Sequence, residues 1–240
     1  METIYKNLFY EKYKKNIFSQ NGEDGVIEEI LYRLKLEDNW CCEFGAWDGK
    51  YLSNTFNLIK KGYNAVLIEG DEQRYVELVN TTKEYSSIIP IKKYVDLVNN
   101  TLDSILETTK IPVDFTLLSI DVDSNDYHIW NSLNKYRPII VVIEINSEIN
   151  PLNFQWIHDI KNNMVGTSFG SMYELANNKG YEFLCHTGNM IFIRNDYFPK
   201  LEIEKEDNLL SNFVFKWILS NPKEYNEFLS TQNKYINSYT

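Results

Sequence analysis

Cysteine is scarce in this chain, with three in 240 residues. Cys41 and Cys42 are adjacent and Cys185 stands alone, all in strand-like apolar surroundings. That odd count and placement argue against a disulfide framework or a thiolate metal site and fit reduced core residues of a cytoplasmic protein. Long hydrophobic runs are also missing. The longest, Ile139 to Ile143, is far shorter than the roughly 20 residues of a membrane span. Met1 to Lys15 mixes charges of both signs and lacks the apolar stretch of a signal peptide. No block of five basic residues occurs, and the net charge is −10. A nucleic-acid binder needs a cationic face to displace counterions, so nucleic acid is not an expected partner. What remains is ordinary for a globular protein, with 43% hydrophobic and 24% charged residues. One domain over residues 1–240 is expected.

Glycine is sparing where it matters most. Trp40-Cys41-Cys42-Glu43 reads as a short buried strand ending in an acid, and only Gly45 and Gly49 flank the turn that follows. A dinucleotide site uses G-x-G-x-x-G so that a pyrophosphate can approach a helix N-terminus. Glu43 would repel that phosphate. A cationic cofactor without phosphates, S-adenosylmethionine (SAM), suits the charge better. A second strand, Ala65 to Ile68, ends at Glu69, placed to accept from ribose hydroxyls.

The rest of the chain alternates in the same way. Val26, Ile27, Ile30, Leu31 and Leu34 share one helical face, with Asn21 to Asp24 offering caps. Leu52, Phe56 and Ile59 recur at helical spacing and stop at Gly62. Strands are expected at Ile88–Ile91, leading to Asp96; at Phe115–Ile120, ending at Asp121; and at Ile139–Ile145, apolar except for Glu144. Thr101 caps a helix between the third and fourth strands. Tyr181–Cys185 and Met190–Ile193 form a closing pair of strands, which places His186 in an exposed turn. The pattern predicts an α/β fold: a doubly wound, seven-stranded, mostly parallel Rossmann-like sheet with an antiparallel last strand. Residues 1–18 read as an N-terminal extension, 147–167 as an irregular segment covering the acceptor, and 201–240 as a helical extension marked by Leu209, Leu210, Phe213 and Trp217. Ligands of such sheets lie beyond the carboxyl ends of the strands, which gathers Glu43, Glu69, Asp96, Asp121 and Glu144 at one crevice.

These segments resemble the class I SAM-dependent methyltransferases, and most closely their FkbM-like branch. Glu43-Phe44-Gly45-Ala46-Trp47-Asp48-Gly49, Thr101-Leu102-Asp103 and Ile120-Asp121-Val122-Asp123 carry the resemblance, which runs over about residues 19–196. It implies that Glu43 holds the methionine end of SAM, with Gly45 and Ala46 allowing close approach. It further implies that Glu69 binds the ribose, Asp96 the adenine amino group, and Asp121 the cofactor as well. Gln20 is placed to reach the methionine carboxylate. The implied reaction is O-methylation of a saccharide or another small polar metabolite. The run after Asp121 departs from the family pattern, as Asp123-Ser124-Asn125-Asp126-Tyr127-His128.

An alcohol acceptor needs a base or a metal, because its pKa lies far above 7. Asp121, Glu144 and His158 are the expected catalytic residues; Asp123, Asp126, His128 and His186 are further base candidates. Glu144 is the sharpest anomaly, since a carboxylate in an apolar strand is costly unless it is paired. Asp121, Glu144 and Asn146 form a possible oxygen set for Mg²⁺. An NAD-linked oxidoreductase and a non-catalytic scaffold are the alternatives; Glu43 opposes the first and the full set of strand-end acids the second.

Overall fold

The computed structural model describes residues 9–36, 39–149, 156–159 and 166–203. The tail pattern at Leu209, Leu210, Phe213 and Trp217, the start of the N-terminal extension, and residues 150–155 and 160–165 of the covering segment lie outside the described residues. Seven strands form one sheet: β1 (Trp40–Phe44), β2 (Asn64–Glu69), β3 (Ile88–Lys92), β4 (Leu117–Ile120), β5 (Ile140–Glu144), β6 (Tyr181–His186) and β7 (Asn189–Arg194). Their spatial order is β3-β2-β1-β4-β5-β7-β6. The neighbouring pairs among β1 to β5 are parallel, and β7 runs antiparallel to both β5 and β6. This is the expected doubly wound sheet with an antiparallel last strand.

Helices cover both faces. On one side pack α2 (Glu23–Leu34), α3 (Phe56–Lys60) and α4 (Glu72–Thr82), through Val26, Ile30, Leu58 and Leu78. The short α1 (Phe9–Tyr13) joins that layer through Phe9 and Tyr10. On the other side lie α5 (Leu102–Leu106), α6 (Asp126–Ser132) and α7 (Phe169–Asn178), with Trp130 fully enclosed. Burial on both faces explains why the parallel strands read as unbroken apolar runs.

Several expected boundaries shift for identifiable reasons. Leu52 is not helical: Asp48 Oδ1 accepts from the backbone N–H of Lys50 and Tyr51, and Leu52 adopts φ 53°. The helix starts only at Phe56, once Ser53, Asn54 and Thr55 have been drawn onto Glu43. The cap of α2 is Gly22, at φ 98°, with no side-chain cap bond. Thr101 caps α5 as expected, accepting from Ser104 N–H.

Both sheet margins are irregular. Pro90 sits in the edge strand β3, and β6 carries a register shift between Phe183 and Cys185. All three cysteines are free and buried, and burial pushes the Cys42 and Cys185 thiols well up. Among the described residues no helix is long and apolar enough to cross a membrane.

Candidate active site

Side chains alternate along a strand, so register decides which ones meet. Glu43 pairs with Leu67 on one side and Ser119 on the other, and Ser119 pairs with Val142. Two residues on, the same parity delivers Glu69, Asp121 and Glu144 to one face at the carboxyl end of the sheet.

Glu43 is nevertheless occupied by its own protein. Its Oε2 accepts from Ser53 Oγ at 2.5 Å and Thr55 Oγ1 at 2.6 Å, and its Oε1 from Asn54 N–H at 2.8 Å. Burial raises its pKa against these three bonds. Glu43 therefore anchors the 53–55 loop beneath the turn that opens at Gly45. Gly45 follows at the end of β1. It adopts φ 80°, and a Cβ there would lie 1.9 Å from the Asp121 carbonyl oxygen, so only glycine lets the turn cross the end of β4. Ala46, beside it, is buried and donates its N–H to Ile68 O at 3.2 Å.

Glu69 ends β2 almost fully buried, accepting from Trp47 N–H at 2.9 Å and Asp71 N–H at 2.8 Å. Next to it opens a cavity of about 360 Å³ lined by Gly70, Glu72, Lys92, Lys93, Tyr94 and Asn100. Asp96 is spent on its own loop: Oδ1 accepts from the N–H groups of Val98, Asn99 and Asn100, and Oδ2 from Asn100 Nδ2. Those donors hold its carboxylate below the usual range. Gln20 is exposed on the loop before α2.

The strongest electrostatic feature lies at the ends of β4 and β5. Asp121 and Glu144 hydrogen-bond carboxyl to carboxyl, and both pKa values are raised, first by burial. Two carboxyl groups in contact hold a proton between them, because both cannot ionise cheaply. Asp123, in the left-handed region at φ 61°, brings a carboxylate oxygen within 4.8 Å of those of Asp121 and Glu144. Asp126, fully buried, accepts from Val122 and Ser124 N–H and is pushed up to about 7, mainly by burial. Glu23, from the start of α2, is completely buried and close enough to raise Asp121.

Of the expected Asp121, Glu144 and Asn146 oxygen set, the two carboxylates meet at the ends of β4 and β5. Asn146 Oδ1 accepts from Glu148 N–H at 2.9 Å, and the third oxygen beside the pair comes from Asp123. Asp121, Asp123 and Glu144 thus bring three carboxylate oxygens within 4.8 Å of one another, a donor set of the kind that hard divalent cations take. His158 is buried; its N–H donates to Thr167 Oγ1 at 3.3 Å, and its carbonyl meets His128 Nε2 at 2.7 Å. His186 is not in an exposed turn: it ends β6 and is fully buried. The turn itself is shorter than expected and holds only Thr187 and Gly188.

Sequence reasoning took Glu23 for a cap and passed over Thr187 and Asn189. A run of two acids opening an apolar helix was the available signal, since a buried acid needs donors from elsewhere in the chain.

Residues 54–183, more than half of the chain, match the model of the methyltransferase FkbM domain, and the chain belongs to that family of class I SAM-dependent methyltransferases. The matched span contains Glu69, Asp96, Asp121, Glu144 and His158 and begins after the Glu43–Gly49 turn. Among solved structures, the N-terminal domain of EvdMO1 with S-adenosylhomocysteine (SAH) bound is 9% identical, with TM-score 0.47, covering 77% of this chain and 82% of that one. A SAM-dependent methyltransferase from Clostridium acetobutylicum is 10% identical, with TM-score 0.44 and coverages of 80% and 95%. A putative O-methyltransferase from Klebsiella pneumoniae is 10% identical, with TM-score 0.46 and coverages of 81% and 89%. A search of curated proteins finds no significant relative.

Proposed function

We propose that this methyltransferase acts on an oxygen of a saccharide or another small polar metabolite in the cytoplasm. The observation that carries the reading is the proton-sharing pair Asp121 and Glu144, set beside the cofactor face of the sheet. Glu69 would take the ribose hydroxyls, the cavity beside Gly70 the adenosine end, and Gln20 the methionine carboxylate. The cofactor supplies an electrophilic methyl carbon on a sulfonium, so alignment and proton handling are left to the chain. With the cofactor bound, the acceptor oxygen would take its methyl group as the methyl C–S bond breaks and SAH leaves; Asp121, ionising more readily than Glu144, would accept the hydroxyl proton, and Glu144 would hold the shared proton that keeps the pair singly charged. His158 is a second group able to take that proton from the covering segment. The net charge of −10 supports a small acceptor over nucleic acid, and three buried free thiols support a reducing compartment.

Calorimetry of the full chain with SAM, SAH and NAD tests the cofactor half. Binding of SAH without a response to NAD is expected; absence of SAH binding would sink the reading. The acceptor half is tested by SAH release from SAM in the presence of hydroxylated sugars, with Asp121→Asn as control. Transfer to a nitrogen or carbon acceptor in preference to any hydroxyl would overturn it.

A further inference from the structure

The run Ser19-Gln20-Asn21-Gly22-Glu23-Asp24 is built as a rigid piece. Asp24 Oδ2 accepts from the N–H groups of Ile17, Phe18 and Ser19 at 2.9, 2.7 and 2.7 Å, and Ser19 Oγ accepts from Asp24 N–H at 3.0 Å. Tyr10 donates its hydroxyl to Asn21 O, and Glu23 Oε2 accepts from Asn21 N–H at 2.8 Å.

The far side of this piece is bolted to the β6–β7 hairpin, 164 residues along the chain from Glu23. Thr187 Oγ1 donates to Glu23 Oε1 at 2.5 Å, and Asn189 Nδ2 donates to the same oxygen at 3.4 Å. Gly188, at φ 149°, leaves so little room that a Cβ there would lie 2.5 Å from Asn21 Nδ2. Asn189 is the register partner of Glu144 across β5 and β7. The loop thus rests on the strand ends that carry the proton-sharing pair. From Ser19 to Asp24, Gln20 is the one exposed residue.

We propose that Glu23 is a positioning residue: bound to Thr187 and Asn189, it locks the loop before α2 onto the β6–β7 turn and so holds Gln20 against the methionine end of the cofactor. A buried carboxylate is costly unless its donors are fixed, and here the donors belong to the hairpin that borders the site. The inference deepens the cofactor reading above and rests on it.

The test is a double-mutant cycle on SAH affinity, measured by calorimetry on the full chain. Gln20→Ala and Thr187→Val should each raise the SAH Kd about tenfold, the scale of one hydrogen bond to a charged group. Because Thr187 acts through Gln20, the double variant should also weaken binding only about tenfold, and Thr187→Ser should restore the wild-type value. Additive losses reaching about a hundredfold, or a Thr187→Val variant that binds SAH normally, overturn the proposal. If Thr187→Val does not fold, Glu23→Gln, which keeps the shape and removes the charge, takes its place in the cycle. Wild-type protein that binds no SAH would overturn the cofactor reading and this proposal together; wild-type binding with additive losses removes this proposal alone.

Discussion

Asp121 and Glu144 face each other carboxyl to carboxyl at the ends of adjacent strands, with Asp123 beside them. Both pKa values are raised in the fold, so the native state binds more protons than the unfolded chain above the ordinary carboxylate range. Stability contributed by the pair is therefore complete in acid and is lost as pH rises from about 4.5 upward. The melting temperature of the wild type should fall across that window. Glu144→Gln, which cannot ionise, should flatten the fall; an equally steep profile in the variant would place the titrating group elsewhere.

Replacing Glu43 by Ala strands two hydroxyl donors and one backbone N–H in the core. A cost of about 2–4 kcal/mol is expected, from desolvated groups left without an acceptor. The midpoint of urea unfolding measures it. SAH affinity should fall less than stability does, because the carboxylate is engaged within the protein.

Glu69→Ala should weaken SAH binding at least tenfold, about 1.4 kcal/mol or more. Glu69 also holds the Trp47 and Asp71 N–H groups, so Glu69→Gln is the informative partner. It keeps one acceptor and should bind SAH better than the alanine variant. Calorimetry on both separates ligand contact from loop support.

Two glycines with left-handed backbones should behave oppositely. Gly45→Ala places a methyl 1.9 Å from the Asp121 carbonyl oxygen and should prevent folding or cost more than about 3 kcal/mol. Gly62→Ala meets nothing within 4 Å and pays only the left-handed strain, about 1 kcal/mol. Denaturant titration of the two proteins compares them directly.

The strands are legible because parallel strands covered on both sides run apolar, and β1, β2, β4 and β5 each meet an acid at or beside their carboxyl ends. Glu144 stood out for that reason. Contacts between distant segments were not legible. The partners of Glu43 lie 10 and 12 residues on for its two hydroxyls, in a stretch whose spacing looked helical. Glu23 meets Thr187 across 164 residues, and no local pattern announces such a pair. His186 was placed in a turn because Thr187-Gly188 marks one, yet the strand extends one residue further and buries the ring. The loop that Asp96 gathers through Val98, Asn99 and Asn100 N–H is a local turn that an aspartate readily makes, though its spacing does not announce it.

Pro90 and the break in β6 lie at opposite margins of the sheet. A proline offers no N–H to a neighbouring strand, and the shift between Phe183 and Cys185 breaks the regular pairing of the other border strand, β6, with β7. Among the described residues both border strands are thus irregular, which makes each a poorer template for an added strand. Contacts between copies through the described residues should therefore use helices or loops more readily than a shared sheet.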